Sequence, residues 1–167
     1  KLVSPVSITY FKNNESFYIA NWGTNEHDEY YDIISVDKKL NSYNPFYSEK
    51  DKKLLHYINV INSKLYAVYR KPPSVVVLDE NSNKLDEIIF DKNMDPLSIS
   101  YFKKNFLIPN YKNGKIHVFN DKFEKIDLIN LESTTPTNTT IINNTIYAVE
   151  ENGNRIFKLN EWKFNYG

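Results

Sequence analysis

The chain repeats itself, and no other feature limits its fold as much. SPVSITYFKNN (4–14) returns as DPLSISYFKKN (95–105). INSKLYAV (61–68) returns 81 residues later as INNTIYAV (142–149), and LDE (78–80) meets LNE (159–161) at the same offset. Half that offset finds another copy, with VVVLD (75–79) over IHVFN (116–120) and KLD (84–86) over KID (125–127). At the front, FYIA (17–20) and IISVD (33–37) occupy the same slots, and Pro5, Pro96 and Pro136 open three of the four copies. The period is 40 to 42 residues with a longer first copy. A unit of that size buries its apolar face only against its neighbours.

Each copy contains four short runs of β-branched and aromatic residues separated by polar turns, which is strand chemistry. In the third copy the runs are 97–102, 105–110, 115–119 and 124–130. Asn-Gly pairs at 113–114 and 152–153 fall between second and third runs, where a tight turn requires positive φ. No window sustains a helical period. Four antiparallel strands per repeat predict an all-β fold: a β-propeller of four blades, each a four-stranded antiparallel sheet, or a four-blade part of a larger ring. The expected blades of this single domain span about 4–51, 52–94, 95–134 and 135–167. Ring closure would protect the end blades, with segment 1–3 pairing near 161–166.

The units PLSISY, FLIPN and KIHVFN resemble the NHL and YVTN type of propeller repeat. That pattern has a proline before the innermost strand, an aromatic-rich second strand and an i-x-V-x-D third strand. The resemblance covers all four copies and implies blade geometry; it brings no catalytic residue with it. The chain departs from the pattern in having only four glycines and none beside the opening prolines.

Composition narrows the partners. Twenty-one basic and 21 acidic residues cancel, so there is no electrostatic footprint for nucleic acid or an anionic membrane. The absence of cysteine excludes disulfides, thiolate metal sites and a cysteine nucleophile. No apolar run is long enough for a transmembrane helix. Sequons at Asn14, Asn138 and Asn143 are as frequent as chance placement predicts in so Asn-rich a chain. An opening at Lys1 is what a chain trimmed for expression, a mature exported chain or a segment of a longer one would show, and the expected setting is extracellular or cell-surface.

Function in this architecture is expected in loops at one rim of the channel. The second-to-third-strand loops share that rim and contribute Trp22, Asn25, Glu26, His27, Asp28, Arg70, Tyr111, Lys112 and Glu151 as candidate binding residues. The loop at 22–29 is longer than its counterparts, and insertions on one face of a repeat array mark the binding side. Trp22 suits a hot spot or a sugar-stacking platform, or else packs on the neighbouring blade. Glu26 and Asp28 are the candidates for a metal, with calcium the expected ion, although adjacent loop residues rarely share one cation. His56 and His117 fall within strands and read as hydrogen-bonded structural histidines. Asp37, Asp79, Asn120 and Asn160 recur after the third run, where a short polar side chain bonds its own turn.

Nucleophile-elbow, P-loop, dinucleotide and zinc-helix motifs are absent. The expectation is a non-catalytic module that binds a protein or glycan, without cofactor, nucleic acid or membrane insertion. Two alternatives stand beside it: a structural subunit of a surface assembly, appendage or virion, by self-assembly or with further blades, and a calcium-dependent lactonase or phosphoesterase-like propeller enzyme.

Overall fold

A computed structural model describes residues 2, 4–22, 31–51, 53–132 and 135–159. Its strands form four separate antiparallel sheets, the blades of a β-propeller. Blade one is β1 (Pro5–Phe11), β2 (Ser16–Asn21), β3 (Ile33–Asp37) and β4 (Tyr43–Tyr47), paired in chain order. Blade two is β5 (Leu54–Ile61), β6 (Lys64–Lys71), β7 (Pro73–Leu78) and β8 (Lys84–Ile89). Blade three is β9 (Ser100–Phe102), β10 (Asn105–Asn110), β11 (Lys115–Asn120) and β12 (Lys125–Asn130). Blade four shows β13 (Pro136–Ile142), β14 (Thr145–Glu150) and β15 (Ile156–Leu159). The fourth run expected there lies outside the described residues, as does the pairing of segment 1–3 with 161–166.

Period-two alternation in each strand sends one set of side chains to the preceding blade and the other to the next. Three apolar clusters result. Phe11, Tyr18 and Ile33 of blade one meet Leu55, Ile58 and Tyr69 of blade two. Tyr66, Val68 and Val75 meet Ile99, Phe106 and Ile108 of blade three. Leu107, Ile116 and Val118 meet Ile146 and Ala148 of blade four. Each such side chain, fully buried, contributes about 1.5–3 kcal/mol. Among the described residues no buried apolar cluster joins blade four to blade one, and Val6, Ile8 and Tyr10 of β1 are exposed.

Two turn families cap the blades at the rim opposite the linkers between them. The inner hairpins turn through Asn62-Ser63, Lys103-Lys104 and Asn143-Asn144, every residue at positive φ. The outer turns rest on the recurring polar residue. Asp37 accepts the backbone N–H of Lys39 and Ser42 (both 2.7 Å), Asp79 those of Asn81 and Asn83 (2.8 and 2.9 Å), and Asn120 those of Lys122 and Glu124 (3.0 and 2.9 Å). These bonds hold both aspartates below the usual carboxylate range, with the Ser42 hydroxyl the largest influence on Asp37 and the Asn83 side chain on Asp79.

Two sequence expectations need correction. The inner run of the third copy was expected over 97–102, but its ladder covers Ser100–Phe102 with one isolated bridge from Pro96 to Asn110. Pro109, facing this stretch from β10, has no N–H to give, so the ladder lapses beside it. Of the two Asn-Gly pairs, Gly114 does take positive φ (70°), whereas at the second the left-handed residue is Asn154 (50°). Gly153 is instead a close approach, since a Cβ there would stand 1.6 Å from Oε1 of Glu150.

Candidate functional site

The strand registers put the ends of all four second strands, and the starts of the inner strands, on one rim. The start of each inner strand pairs with the end of the second: Pro5 with Asn21, Leu54 with Lys71, Pro96 with Asn110 and Pro136 with Glu150. A repeated device organises this rim. The residue before each opening proline accepts the N–H of the first loop residue: Ser4 from Trp22 (2.9 Å), Asp95 from Tyr111 (3.0 Å) and Thr135 from Glu151 (3.1 Å). Trp22, Tyr111 and Glu151 therefore stand at equivalent positions on three blades. Blade two lacks the opening proline, and its loop carries a cis Lys71-Pro72 bond instead.

On the three proline-opened blades the preceding position is a buried polar residue that ties down its own loop. Asn21 donates to the Tyr31 carbonyl (2.8 Å), Asn110 accepts the Lys112 N–H (3.2 Å), and Glu150 pairs with Arg155. Hydrogen-bonded buried polar groups of this kind rigidify the backbone around them. What projects beyond is presented on a fixed base.

Side chains then link the blades. The Arg70 guanidinium grips the Asp95 carboxylate in a bidentate pair, Nε to Oδ1 at 2.8 Å and Nη2 to Oδ2 at 2.6 Å, which raises its pKa. Its Cζ lies 5.6 Å from the centre of the Tyr111 ring, within cation–π range. The Tyr111 hydroxyl donates to Oε2 of Glu151 at 2.8 Å, and that bond pushes its pKa up. A ladder Asp95–Arg70–Tyr111–Glu151 thus runs across blades two, three and four. Between blades one and two the link is buried: the Tyr69 hydroxyl donates to Asp32 at 2.9 Å, and burial above all keeps Tyr69 protonated.

Arg70, Tyr111 and Glu151 come together in this ladder, while Lys112 sits exposed beside it. Trp22 is 42% exposed. Asn25, Glu26, His27 and Asp28 lie outside the described residues, and among the described residues no three His, Asp or Glu side chains are grouped to hold a metal. No helix among them is long and apolar enough to cross a membrane. His56 donates from Nδ1 to the Leu97 carbonyl at 2.9 Å, and burial lowers its pKa.

Sequence reasoning missed Asp95, Asp32 and Tyr69. Asp95 had a signal, because it precedes an opening proline as Ser4 and Thr135 do. It also missed a cleft of 380 Å³ between blades two and three, where His117 meets Asn110, Asn113, Phe90, Met94 and Phe119. Burial first, then Lys125 and Lys115, lowers His117 to about 4, so the imidazole is neutral at ordinary pH.

No family model matches the sequence, and no curated protein does either. Solved structures match widely, β-propeller proteins such as streptogramin B lyase among them. The chain resembles a streptogramin B lyase with a TM-score of 0.70 at 11% identity, over 93% of its own length and 54% of that chain. It resembles a protein of unknown function from Bacteroides caccae with a TM-score of 0.65 at 11% identity, over 94% of its length and 61% of the other. With the computationally designed Ika4 protein the TM-score is 0.65 at 8% identity, over 95% and 92% of the two chains. The shared property is the fold. The chain spans between half and two thirds of the length of the first two proteins.

Proposed function

We propose that the chain is a non-catalytic interaction module, a divergent member of the NHL/YVTN repeat group, which binds a protein or glycan through its linker rim in an extracellular or cell-surface setting. One observation carries this reading. The rim presents Trp22, Tyr111 and Glu151 from equivalent positions on three blades, each held by the same backbone bond, with Arg70 locked between them. Aromatic and arginine side chains on a rigid base, already ordered before contact, lose little entropy on binding and are typical hot spots.

The test is a binding screen against glycans and candidate surface proteins, repeated with Trp22→Ala, Tyr111→Ala and a shortened 23–29 loop. The reading expects at least one substitution to remove binding while leaving thermal melting in place. If all three variants bind like the parent, the rim is not the interface.

A second reading is favoured by the exposed side of β1. Val6, Ile8 and Tyr10 are the repeat equivalents of Leu97, Ile99 and Tyr101; Leu97 and Ile99 are buried, and Ile99 and Tyr101 pack into the apolar cluster shared with blade two. Blade one would gain the same contact from a further blade or a second copy. Light scattering across a concentration series tests the second copy, which expects growing mass and is removed by a strict monomer.

A further inference from the structure

The cleft between blades two and three carries chemistry separate from the rim ladder. Its 380 Å³ falls at the lower end of ligand pockets, which begin at about 300 Å³. One set of lining groups is apolar: Met94, with the rings of Phe90 and Phe119 at 5.4 Å and 40° to each other. The other set is a converging group of donors. The Nδ2 atoms of Asn110 and Asn113 approach Nε2 of His117 at 3.3 and 3.2 Å.

Both carboxamides are oriented from behind. Oδ1 of Asn110 accepts the N–H of Asp95 (3.0 Å), and Oδ1 of Asn113 accepts that of Lys115 (3.1 Å), so each NH2 group faces the imidazole. A ring nitrogen offers a single in-plane lone pair, whereas two carboxamides bring four N–H bonds. Donors are in surplus at this point. Lys125 lines the same cleft and, with Lys115, makes the field at His117 positive. The lining carboxylate, Asp91, accepts the N–H of Asn93 in its own turn at 2.8 Å. Aromatic walls, surplus oriented donors and a cation together suit an anion on an aromatic body.

We propose that this cleft binds a small aromatic carboxylate, its ring against Phe90, Met94 and Phe119 and its carboxylate on the Asn110 and Asn113 carboxamides and Lys125. The neutral, hydrogen-bonded His117 orients those carboxamides and reports on occupancy, because an arriving anion offsets the two lysines.

Phenylacetate is the probe, titrated into isotope-labelled protein while the His117 ring and the Asn113 side-chain amide are followed by NMR. The expected result is saturable movement of both, with a dissociation constant on the order of 1 mM or tighter for so small a ligand. The uncharged isostere phenylacetamide, and the variant Lys125→Met with phenylacetate, should each bind about tenfold more weakly, as loss of a charge-assisted contact requires. Tyr111→Phe should leave this binding unchanged, which separates the cleft from the rim. No saturable movement at His117, or equal binding by the amide and by Lys125→Met, would overturn the proposal.

Discussion

Replacing Arg70 with methionine removes a guanidinium that bridges two blades while preserving much of its aliphatic bulk. The side chains of Arg70 and Asp95 are 23% and 11% exposed, so the pair lies between the surface and buried limits. Surface pairs contribute at most about 1 kcal/mol, and stranding one partner of a fully buried pair costs about 3–5 kcal/mol. For this geometry the expected cost of Arg70→Met is about 2 kcal/mol, most of it from the carboxylate left without a counter-charge. The backbone bonds that Asp95 makes to Asn110 and Tyr111 survive, so the damage stays local. Adding Asp95→Asn to Arg70→Met should restore part of the loss, giving a coupling energy of about 1.5 kcal/mol in a double-mutant cycle. Urea denaturation of the four proteins supplies the numbers: the midpoint should fall with m unchanged. Thermal melting should drop by roughly 4–8 °C for the single variant, at about 2–4 °C per kcal/mol for a chain of this size. A coupling near zero would mean that Arg70 and Asp95 do not hold the two blades together and that the rim is not pre-ordered.

Tyr69→Phe deletes one hydroxyl from the buried bond to Asp32 and should cost about 1.5–2 kcal/mol in urea unfolding, as bonds to charged acceptors do; an unchanged midpoint would mean the blade one–two link is not made. For His117, the unfolded imidazole takes up a proton below its ordinary 6.5 and the folded one only near 4, so stability is lost as pH falls between those values. His117→Gln should flatten that part of the pH–stability curve, and an unaltered slope would contradict the buried, neutral imidazole. Gly153→Ala forces the new methyl onto the Glu150 carboxylate and should destabilise by about 1–3 kcal/mol, the range for overpacking. Tyr111→Phe breaks only an exposed bond to Glu151, and its stability in urea unfolding should stay within about 0.5 kcal/mol of the parent.

Much of the fold was legible because repetition multiplies weak signals. One run such as KIHVFN does not define a blade, yet the same pattern at 40-residue intervals does. The recurring Asp or Asn after the third strand was understood from its own chemistry, since an Asx turn is local. The interrupted inner strand of blade three was not, because it depends on which residue Pro109 faces across the sheet. The site divides in the same way. Register arguments alone place Arg70, Tyr111 and Glu151 on one rim. Their mutual contacts, and the choice of Asp95 as the partner of Arg70 among many carboxylates, depend on the angle between blades. His117 shows the limit most plainly: its hydrogen bonds could be anticipated from a strand position, but the cleft beside it is lined by Phe90 and Met94 of the linker, whose approach to blade three depends on how the blades pack.

A linker rim that serves as the binding face, in place of the opposite rim, should be the surface a partner touches. A photo-crosslinking residue placed at Tyr111 tests it directly, against the same residue at Asn81 and Lys122 in the exposed outer turns of the other rim. One discrete adduct is expected from position 111 in the protein's native setting and none from positions 81 and 122. Adducts from the outer turns alone, or equally from all three positions, would contradict it.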